Sequence, residues 1–168
     1  MNTEYALIPL PGGENAIVDL EDYERISRFK WNINKSRHTS YAVRTTRASE
    51  GKRGNRIIMH REILLTDKAV DHINRNGLDN RRANLRPATR SQNSRNASKR
   101  SDNTSGFKGV GIYKPYGNWR ARITVETGKR ITVGYFKTPI EAAIAYDEAA
   151  VKYHGEFASL NFPEGVPE

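Results

Sequence analysis

The sequence predicts an α+β fold in which small antiparallel sheets alternate with short helices. Three observations predict it. Short β-type segments are separated by turn-forming runs such as PGGEN and KPYGN, helical spacing is confined to a few segments, and 168 residues suffice for one ordinary domain or two small ones. We expect a small N-terminal α+β unit, then a compact ββα core, then a three-stranded antiparallel sheet packed on one helix.

The N-terminal unit, residues 1–55, is predicted to contain strands at residues 6–9, 16–19 and 41–46. A further strand at 56–60 leads into the next block. Between the second and third strands, DLEDYERISRFKW places Tyr23, Ile26 and Phe29 at helical spacing, with Asp19 as the expected N-cap.

Charge is unevenly distributed along the chain. The formal net charge is +9, and residues 71–135 carry 14 Lys and Arg against 4 Asp and Glu. This balance favours a polyanionic partner at the middle of the chain, although charge alone cannot distinguish DNA, RNA and acidic lipid. The absence of cysteine excludes disulfides, thiol nucleophiles and Cys-containing zinc sites, so any metal must be held by oxygen or imidazole.

The second block, residues 56–100, has few apolar residues. Its expected core positions are Ile63, Leu64, Leu65, Val70, Ile73, Leu78 and Leu85. The loop NRNGLDNRRAN is so polar that it can hold one conformation only if side-chain hydrogen bonds or a metal tie it down. From Thr89, TRSQNSRNASKR is compatible with a helix capped by Thr89.

The run VDHINRNGLDNRRANLRPATRSQN carries residue types suited to hydrolysis of a phosphodiester. Asp71 offers a hard oxygen ligand and Asn93 a carbonyl oxygen, a pair that suits Mg²⁺ better than Zn²⁺. His72, with an imidazole that is neutral at physiological pH, is the expected base. Asn84 is expected to brace the loop through its backbone.

These residues resemble the HNH (ββα-metal) nuclease motif in the variant of intron-type homing endonucleases. The matching positions are Asp71 and His72 at the end of the first strand, Asn84 in NLR of the second strand, and Asn93 on the following helix. The resemblance implies one divalent ion, Mg²⁺ or alternatively Mn²⁺, held by Asp71 and Asn93. It also implies that the catalytic residues are His72, which acts as the base, and Asn84, which has a structural role. The hydrolysis that it implies leaves a 5′-phosphate.

Other polar residues of this block have competing interpretations. His60, in MHREIL, is expected at a strand end as a structural hydrogen-bonding group rather than a catalyst. Arg86 either contacts substrate phosphate or forms a local salt bridge. His38 and His154 show no partner pattern and are assigned no role.

The third block follows a polar linker at residues 101–105 and spans residues 106–163. Three strands are expected, with Trp119, Ala121 and Ile123 on the apolar face of the second and Ile131 and Val133 on that of the third. Trp119 and Tyr135 are expected in the core. A helix should then begin with Thr138 as N-cap, Pro139 at the first position and Glu141 completing a capping box, and its alanines should pack on the sheet.

The segments FKGV, GNWRARI, VGYFKTPIEAAIAYDEAA and HGEFASLNFP resemble the APETALA-type (ethylene-response-factor-like) DNA-binding domain of plants. The resemblance implies a sheet laid in the major groove. The expected DNA contacts from this domain are Lys114, Tyr116, Arg120, Arg122, Thr124, Arg130 and Thr132. Phosphate contacts are expected from Arg86, Arg90, Arg95, Lys99 and Arg100, and additional contacts from the N-terminal unit at Arg44, Arg47, Lys52, Arg53 and Arg56.

Together these features predict a metal-dependent HNH endonuclease of homing type that binds double-stranded DNA and nicks one strand, as a monomer unless it dimerises. The alternative is a non-catalytic, sequence-specific DNA-binding regulator with a relic nuclease segment. An RNA-directed protein is disfavoured because few aromatic residues are expected on the sheet surface. No apolar run reaches the ~18 residues of a membrane span and no signal-peptide pattern is present. We therefore expect a cytoplasmic protein, acting on nucleoid DNA in a phage or bacterial host cell.

Overall fold

The chain folds into two compact units, residues 1–89 and residues 90–168. The computed structural model describes residues 4–36, 39–51, 54–125 and 128–166. Both units mix helices with small antiparallel sheets, so the predicted α+β class is confirmed. Within the described ranges, no helix is both long enough and apolar enough to traverse a bilayer.

The first unit consists of a hairpin, a three-stranded sheet, a second hairpin and two helices. In chain order these are β1 (Tyr5–Pro9), β2 (Asn15–Asp19), α1 (Leu20–Ser27), β3 (Asn32–Lys35), β4 (Ser40–Thr45), β5 (Arg56–Ile58), α2 (Met59–Leu64), β6 (Val70–His72) and β7 (Leu85–Pro87). Strand β1 pairs with β2, β4 lies between β3 and β5, and β6 pairs with β7, all antiparallel. The contacts therefore group residues 1–55 with residues 56–89, while the functional boundaries after residues 55, 100 and 105 stay a prediction.

One apolar core runs through this first unit. It includes residues of the N-terminal hairpin, such as Ile8 and Val18, together with Ile63, Val70 and Leu85 of the second block. Leu64 and Leu78 pack against it as half-buried neighbours. These five positions of the second block were predicted as core.

The prediction of a core position is wrong for two residues, Leu65 and Ile73. Leu65 is 80% exposed because it follows α2 in a left-handed conformation, with φ 49°, which turns its side chain away from the helix's apolar face. Ile73 is 46% exposed because it lies beyond the end of β6, where the alternation of the strand no longer applies.

Several element boundaries also differ from expectation. The strand predicted at residues 56–60 ends at Ile58, and α2 begins at Met59, so His60 lies in a helix rather than at a strand end. Asn84 ends a 3-10 turn at Arg82–Asn84 and precedes β7 instead of lying within it. Asp19 occupies the N-cap position of α1, but its carboxylate accepts a hydrogen bond from the backbone N–H of Arg82 instead of capping the helix.

A buried ion network ties α1 to the second block. Asp22 is almost completely buried and accepts hydrogen bonds from the guanidinium groups of Arg82, at 2.8 and 2.9 Å, and of Arg25, at 2.6 Å. Burial raises the pKa of Asp22, but the two arginines more than offset this effect and lower it below its ordinary value. The carboxylate therefore stays charged and holds the turn before β7 against α1.

The second unit consists of a short helix, α3 (Arg90–Asn96), followed by β8 (Val110–Tyr113), β9 (Asn118–Thr124), β10 (Arg130–Phe136) and the long helix α4 (Pro139–His154). The three strands form an antiparallel sheet with β9 in the centre. Helix α3 is shorter than the predicted segment that runs to Arg100. Residues 101–105 are exposed or half-buried, and Asn103 and Ser105 hydrogen-bond the carbonyl of Phe107.

Helix α4 begins as predicted. The Thr138 hydroxyl accepts from the N–H of Glu141, the Glu141 carboxylate accepts from the N–H of Thr138, and Pro139 occupies the first position. Four of its alanines are buried against the inner face of the sheet, at positions 142, 143, 149 and 150. Close packing of small side chains thus joins the helix to Ala121 and Ile123 of β9.

A β-bulge in β10 changes which side chains reach the outer face. The register shifts between Thr132 and Gly134, so Val133 is an extra residue on this strand. Beyond it, Tyr135 pairs with Arg120 and faces outward, because one inserted residue reverses the alternation of the strand. The prediction that Tyr135 is a core residue is therefore wrong, as is the inward placement of Val133, whereas Trp119 packs half-buried against the core.

Gly109 generates a stability prediction for the second unit. It has φ +76°, and a Cβ there would lie 2.0 Å from the ring of Tyr146 and 2.9 Å from the carbonyl oxygen of Arg122. We expect Gly109→Ala to reduce the free energy of unfolding by about 3 kcal/mol, since the backbone strain and the overpacking add. Denaturant unfolding of the full chain measures this. Gly111→Ala is the control, because its Cβ would meet no atom within 4 Å, and equal stability of the two variants would contradict the argument.

Candidate functional site

The β6–β7 hairpin fixes the two residues at the centre of the predicted site. Asp71 is paired across the hairpin with Arg86, and His72 with Leu85. Residues directly opposite in an antiparallel pair share a face, so Asp71 and Arg86 meet on one side while His72 projects to the other. The Arg86 guanidinium donates to Oδ2 of Asp71 from Nε at 2.9 Å and from Nη2 at 2.6 Å. Of the two interpretations of Arg86, the local salt bridge is the one present in this structure.

His72 lies in a buried cluster of aromatic rings. It is 5% exposed, and its ring centroid lies 5.0 Å from that of His60 and 5.8 Å from that of Tyr41. Nε2 of His72 is 3.4 Å from the side-chain oxygen of Asn80. Burial lowers the pKa of His72, while Asn80 and the charges of Asp71 and Asp79 act in the opposite direction. The imidazole is therefore neutral at physiological pH, the protonation state that a general base requires.

The prediction that His60 is a hydrogen-bonding group is also wrong for one of its ring nitrogens. Its Nδ1 is buried and has no hydrogen-bond partner among the residues that the structure describes, so at this atom it is not a hydrogen-bonding group. Burial, followed by the electrostatic effects of His72 and Arg61, lowers the pKa of His60 to about 3. The contribution of His60 is a neutral ring packed edge-on against His72.

Asn84 makes the backbone contacts expected of a bracing residue. Its amide nitrogen donates to the carbonyl of Asp79 at 2.7 Å, and its side-chain oxygen accepts from the N–H of Asn74 at 2.9 Å. The Asn74 side chain in turn donates to Asp79, whose carboxylate also receives Arg81. The predicted requirement that side chains tie down this polar loop is met by these bonds.

The N-terminal elements provide the support for that loop. Ile17 of β2 donates to the carbonyl of Leu78 at 2.8 Å and accepts from the N–H of Asn80 at 2.7 Å. Gly77 lies so close to the β3–β4 sheet that a Cβ would be 2.7 Å from the ring of Tyr41. The N-terminal unit, for which the sequence predicted only additional DNA contacts, thus positions the loop that contains Asn80.

One of the DNA contacts expected from the N-terminal unit is not available. Arg44 is 6% exposed, forms ion pairs with Glu50 and Glu62, and lies 3.8 Å from the centroid of the Phe29 ring. The carboxylates that neutralise its charge lie inside the unit, so the prediction that Arg44 contacts DNA is wrong. Lys52, Arg53 and His38 lie outside the described residues.

The structure adds two residues to the site that the sequence prediction missed, Tyr41 and Asn80. Burial, and then the charge of Asp71, raise the pKa of the Tyr41 hydroxyl, so this group lies within electrostatic range of the carboxylate. The signal for Asn80 was available in the Asn-rich loop, where most polar side chains must find partners. Tyr41 is 30 positions before Asp71, and nothing in the sequence pattern links the two.

The Asp71 side chain has the chemistry of a cation ligand. Its carboxylate is 3% exposed and is already neutralised by a guanidinium, so a divalent ion at this position would replace one positive partner with another. Asn93, the second predicted ligand, lies exposed on α3 in the second unit, and its pairing with Asp71 around one ion stays a prediction.

A second group of acidic side chains comes together within the described residues. Oxygen atoms of Asp19, Glu21 and Asp22 all lie within 4.8 Å of one another. Arg82 forms ion pairs with both Glu21 and Asp22, and its backbone N–H binds Asp19. These charges explain the cluster as part of the structural network of α1.

The outer face of the sheet in the second unit carries five of the seven DNA contacts that the APETALA-type resemblance predicts. Arg120, Arg122 and Thr124 of β9 are paired with Tyr135, Thr132 and Arg130 of β10, and these side chains project away from α4. Burial, then the neighbouring charges of Arg120 and Arg130, lower the pKa of Arg122. Positive charge is thus concentrated on this face, as an anion-binding surface requires.

A cleft of about 560 Å³ in the second unit brings further predicted residues together. Its lining includes, with Thr124, the cations Arg95, Lys99, Arg100, Lys108, Arg122 and Arg130. Arg100 also forms an exposed ion pair with Asp102, and the ammonium group of Lys108 donates to the carbonyls of Arg95 and Ala97. His154 lies in this lining, and its Nε2–H donates to the carbonyl of Thr124 at 2.8 Å, which joins the end of α4 to the sheet. Arg90, Lys114 and Tyr116 are exposed outside the cleft.

Comparison with known proteins identifies the first of the two resemblances. A family model described as HNH endonuclease matches residues 66–95, the segment that contains β6, β7 and most of α3. An uncharacterized HNH endonuclease of Acanthamoeba polyphaga mimivirus is 30% identical over 166 residues, which cover 94% of this chain and 80% of that protein. The chain belongs to the HNH endonuclease family. Enzymes of this family are nucleases, which hydrolyse phosphodiester bonds and generally use a divalent metal ion.

Part of this HNH endonuclease is also similar to plant proteins. An APETALA2-like protein 2 of Oryza sativa subsp. indica is 45% identical over 60 residues, and a dehydration-responsive element-binding protein 2D of Arabidopsis thaliana is 44% identical over 61 residues. These matches cover 35% and 36% of the chain, and the chain spans only 14% and 29% of the two plant proteins.

The Asp71–Arg86 pair generates a prediction about metal and stability. Arg86→Met should reduce the free energy of unfolding in the presence of chelator by about 3 kcal/mol, because it leaves a buried carboxylate without its cation. Magnesium should recover more stability in Arg86→Met than in the unsubstituted chain, where the ion must compete with the guanidinium. Thermal unfolding with and without Mg²⁺ measures both effects.

Two variants control that experiment. Arg81→Met also removes the partner of a buried carboxylate, that of Asp79, and should lose stability without any recovery in Mg²⁺. Adding Asp71→Asn to Arg86→Met should abolish the recovery. Equal stabilisation of all the variants by Mg²⁺ would contradict a cation site at Asp71.

Proposed function

We propose that this chain is a metal-dependent HNH endonuclease of homing type that binds duplex DNA with its second unit and nicks one strand. One observation carries the proposal. The buried, neutral imidazole of His72 is adjacent in the chain to the buried carboxylate of Asp71, which is paired with the guanidinium of Arg86. Neither feature contributes apolar core, and burying both groups has a free-energy cost that a purely structural hairpin would not need.

His72 acts in this proposal as the general base that takes a proton from the attacking water. Neighbouring rings limit its motion, and Asn80 provides an oxygen at 3.4 Å from Nε2 that can orient the imidazole. Asn84 fixes the loop between the strands by its bonds to Asn74 and Asp79, so it contributes to catalysis by positioning.

Asp71 and Asn93 would hold the ion, for which Mg²⁺ is the first candidate and Mn²⁺ the second, since both ligands offer hard oxygen atoms. When bound, the ion offsets charge on the scissile phosphate and on the leaving oxygen. Arg86 then has a second role available, because a guanidinium released from Asp71 can pair with a phosphate oxygen.

DNA binding by the second unit is supported by its resemblance to the APETALA-type domain and by its charge. The outer face combines Arg120, Arg122 and Arg130 with two threonines, and the adjoining cleft adds Arg95, Lys99 and Arg100. Together with Arg90 and Lys114, these cations form a surface on which a phosphate backbone can lie.

A single predicted active site per chain favours cutting one strand per binding event, with the enzyme as a monomer. Double-strand cleavage would require a dimer or a second binding event. The expected product carries a 5′-phosphate, and the expected place of action is nucleoid DNA in the cytoplasm of a bacterial or phage-infected cell.

Plasmid nicking tests the catalytic assignment. The unsubstituted chain should convert supercoiled plasmid to the open circular form in Mg²⁺ and not in chelator, and His72→Gln should be slower by about 100-fold or more, the typical contribution of a general base. Duplex affinity of His72→Gln should be unchanged, which separates loss of chemistry from loss of folding. A nicking rate equal to that of the unsubstituted chain would remove His72 from the mechanism, and DNA binding without any nicking would favour a regulator with a relic nuclease segment.

Salt-dependent binding tests the outer face. Combining Arg120→Ala with Arg122→Ala should weaken duplex affinity by about tenfold or more and should reduce the slope of log affinity against log salt by roughly two. The control combines Lys30→Ala with Lys152→Ala, which removes the same net charge from positions outside this face. If both double variants lose affinity equally, general charge rather than this face accounts for binding.

A further inference from the structure

Three tyrosines form a cluster within the cationic outer face of the sheet, where the sequence predicted few aromatic residues; Tyr113 is half-buried and the other two are exposed. The ring centroids of Tyr113 and Tyr135 lie 4.9 Å apart and those of Tyr113 and Tyr116 lie 5.8 Å apart. Tyr116 is 78% exposed and Tyr135 50% exposed. Large aromatic surface left in solvent on a charged face is characteristic of a contact site rather than of a soluble surface.

Arg120 connects this tyrosine cluster to the cationic part of the face. Its guanidinium carbon lies 5.0 Å from the centroid of the Tyr113 ring, and its strand position is opposite both Gly111 of β8 and Tyr135 of β10. Stacking on an aromatic ring restricts the guanidinium and leaves its edge donors available. The face therefore places a restrained hydrogen-bond donor beside an apolar surface.

The arrangement of the rings argues against insertion of a base between them. The ring planes of the two pairs are inclined at 55° and 44°, so they form neither a parallel stack nor an open slot, and one side of Tyr113 is occupied by Arg120. The cluster therefore presents an apolar surface of mutually inclined rings. On duplex DNA in the major groove, the apolar group that base edges offer to such a surface is the 5-methyl of thymine.

We infer that the tyrosine cluster, Tyr113, Tyr116 and Tyr135, is a specificity-determining surface that contacts thymine methyl groups next to the base pair reached by Arg120. The inference rests on the proposed binding of duplex DNA by this sheet. It adds the chemical feature that the sheet recognises: a thymine beside a base pair that accepts hydrogen bonds from a guanidinium.

Replacement of thymine by deoxyuridine tests this directly, because it removes only the methyl group. Duplexes are first selected from a random library with the full chain carrying His72→Gln, and each thymine of the selected site is then replaced in turn. At one or two positions the affinity should fall about fourfold, the factor expected for one methyl-sized apolar contact. In the double variant Tyr116→Ala with Tyr135→Ala the same replacements should have no effect.

Control variants separate the ring from its hydroxyl and from general aromatic content. Tyr116→Phe with Tyr135→Phe should retain the sensitivity to deoxyuridine. Tyr153→Ala should retain it as well, since this tyrosine is exposed on α4, which packs on the opposite face of the sheet. Selection of sites without thymine, or equal sensitivity in the Ala double variant and the parent, would overturn the inference.

The remaining outcomes distinguish this inference from the proposed function. Tighter binding of single-stranded than of duplex DNA, lost in the Ala double variant, would assign the cluster to unpaired bases and overturn the thymine contact. Duplex affinity that depends on Arg120 and Arg122 but not on any thymine methyl would leave the proposed function intact and remove only the role of the tyrosines. Absence of duplex binding would contradict both.

Discussion

The site depends on one constraint: the polar loop between β6 and β7 has little apolar content, yet Asp79, Asn80 and Asn84 within it are buried, so their hydrogen-bonding groups need partners. The Asn84 side chain hydrogen-bonds the backbone of Asn74 and of Asp79. The Asp79 carboxylate accepts hydrogen bonds from the side chains of Asn74 and Arg81. Ile17 of β2 forms two backbone hydrogen bonds with the loop. Unsatisfied polar groups in such a place would each cost about 1–3 kcal/mol. The rigid loop is therefore a product of the N-terminal elements as much as of the nuclease segment itself.

The same constraint accounts for the electrostatics of the site. Exclusion of water keeps the imidazole of His72 neutral and makes a lone carboxylate at Asp71 unfavourable, so Arg86 accompanies it. At the metal site proposed for Asp71, the guanidinium of Arg86 supplies the positive partner that a divalent ion would otherwise supply. The surface of the second unit proposed to contact DNA has the opposite character, because its cations lie on a solvent-facing sheet where a polyanion can neutralise them.

The sequence was sufficient wherever local chemistry determines structure. The capping box of Thr138 and Glu141 and the alanine face of α4 follow from residue spacing, and Asp71 and His72 lie on a strand as expected. Prediction failed where tertiary contacts decide. His60 belongs to a helix that has only six residues. The side chain of Leu65 points outward because Leu65 itself adopts the left-handed conformation. Partners far apart in the chain, such as Tyr41 and His72 or Arg82 and Asp22, leave no local signal at all.

Tyr135 shows how small the deciding feature can be. Its outward direction depends on Val133, an extra residue in β10. Gly134, which follows Val133, was the only local indication of a bulge in the sequence. Removing one residue here would exchange the solvent-facing and core-facing positions along the end of the strand, whereas a point substitution alters one side chain. Among related chains, insertions and deletions in this strand should therefore redirect the chemistry of the surface more abruptly than substitutions do, and alignments that ignore the bulge will compare residues from opposite faces.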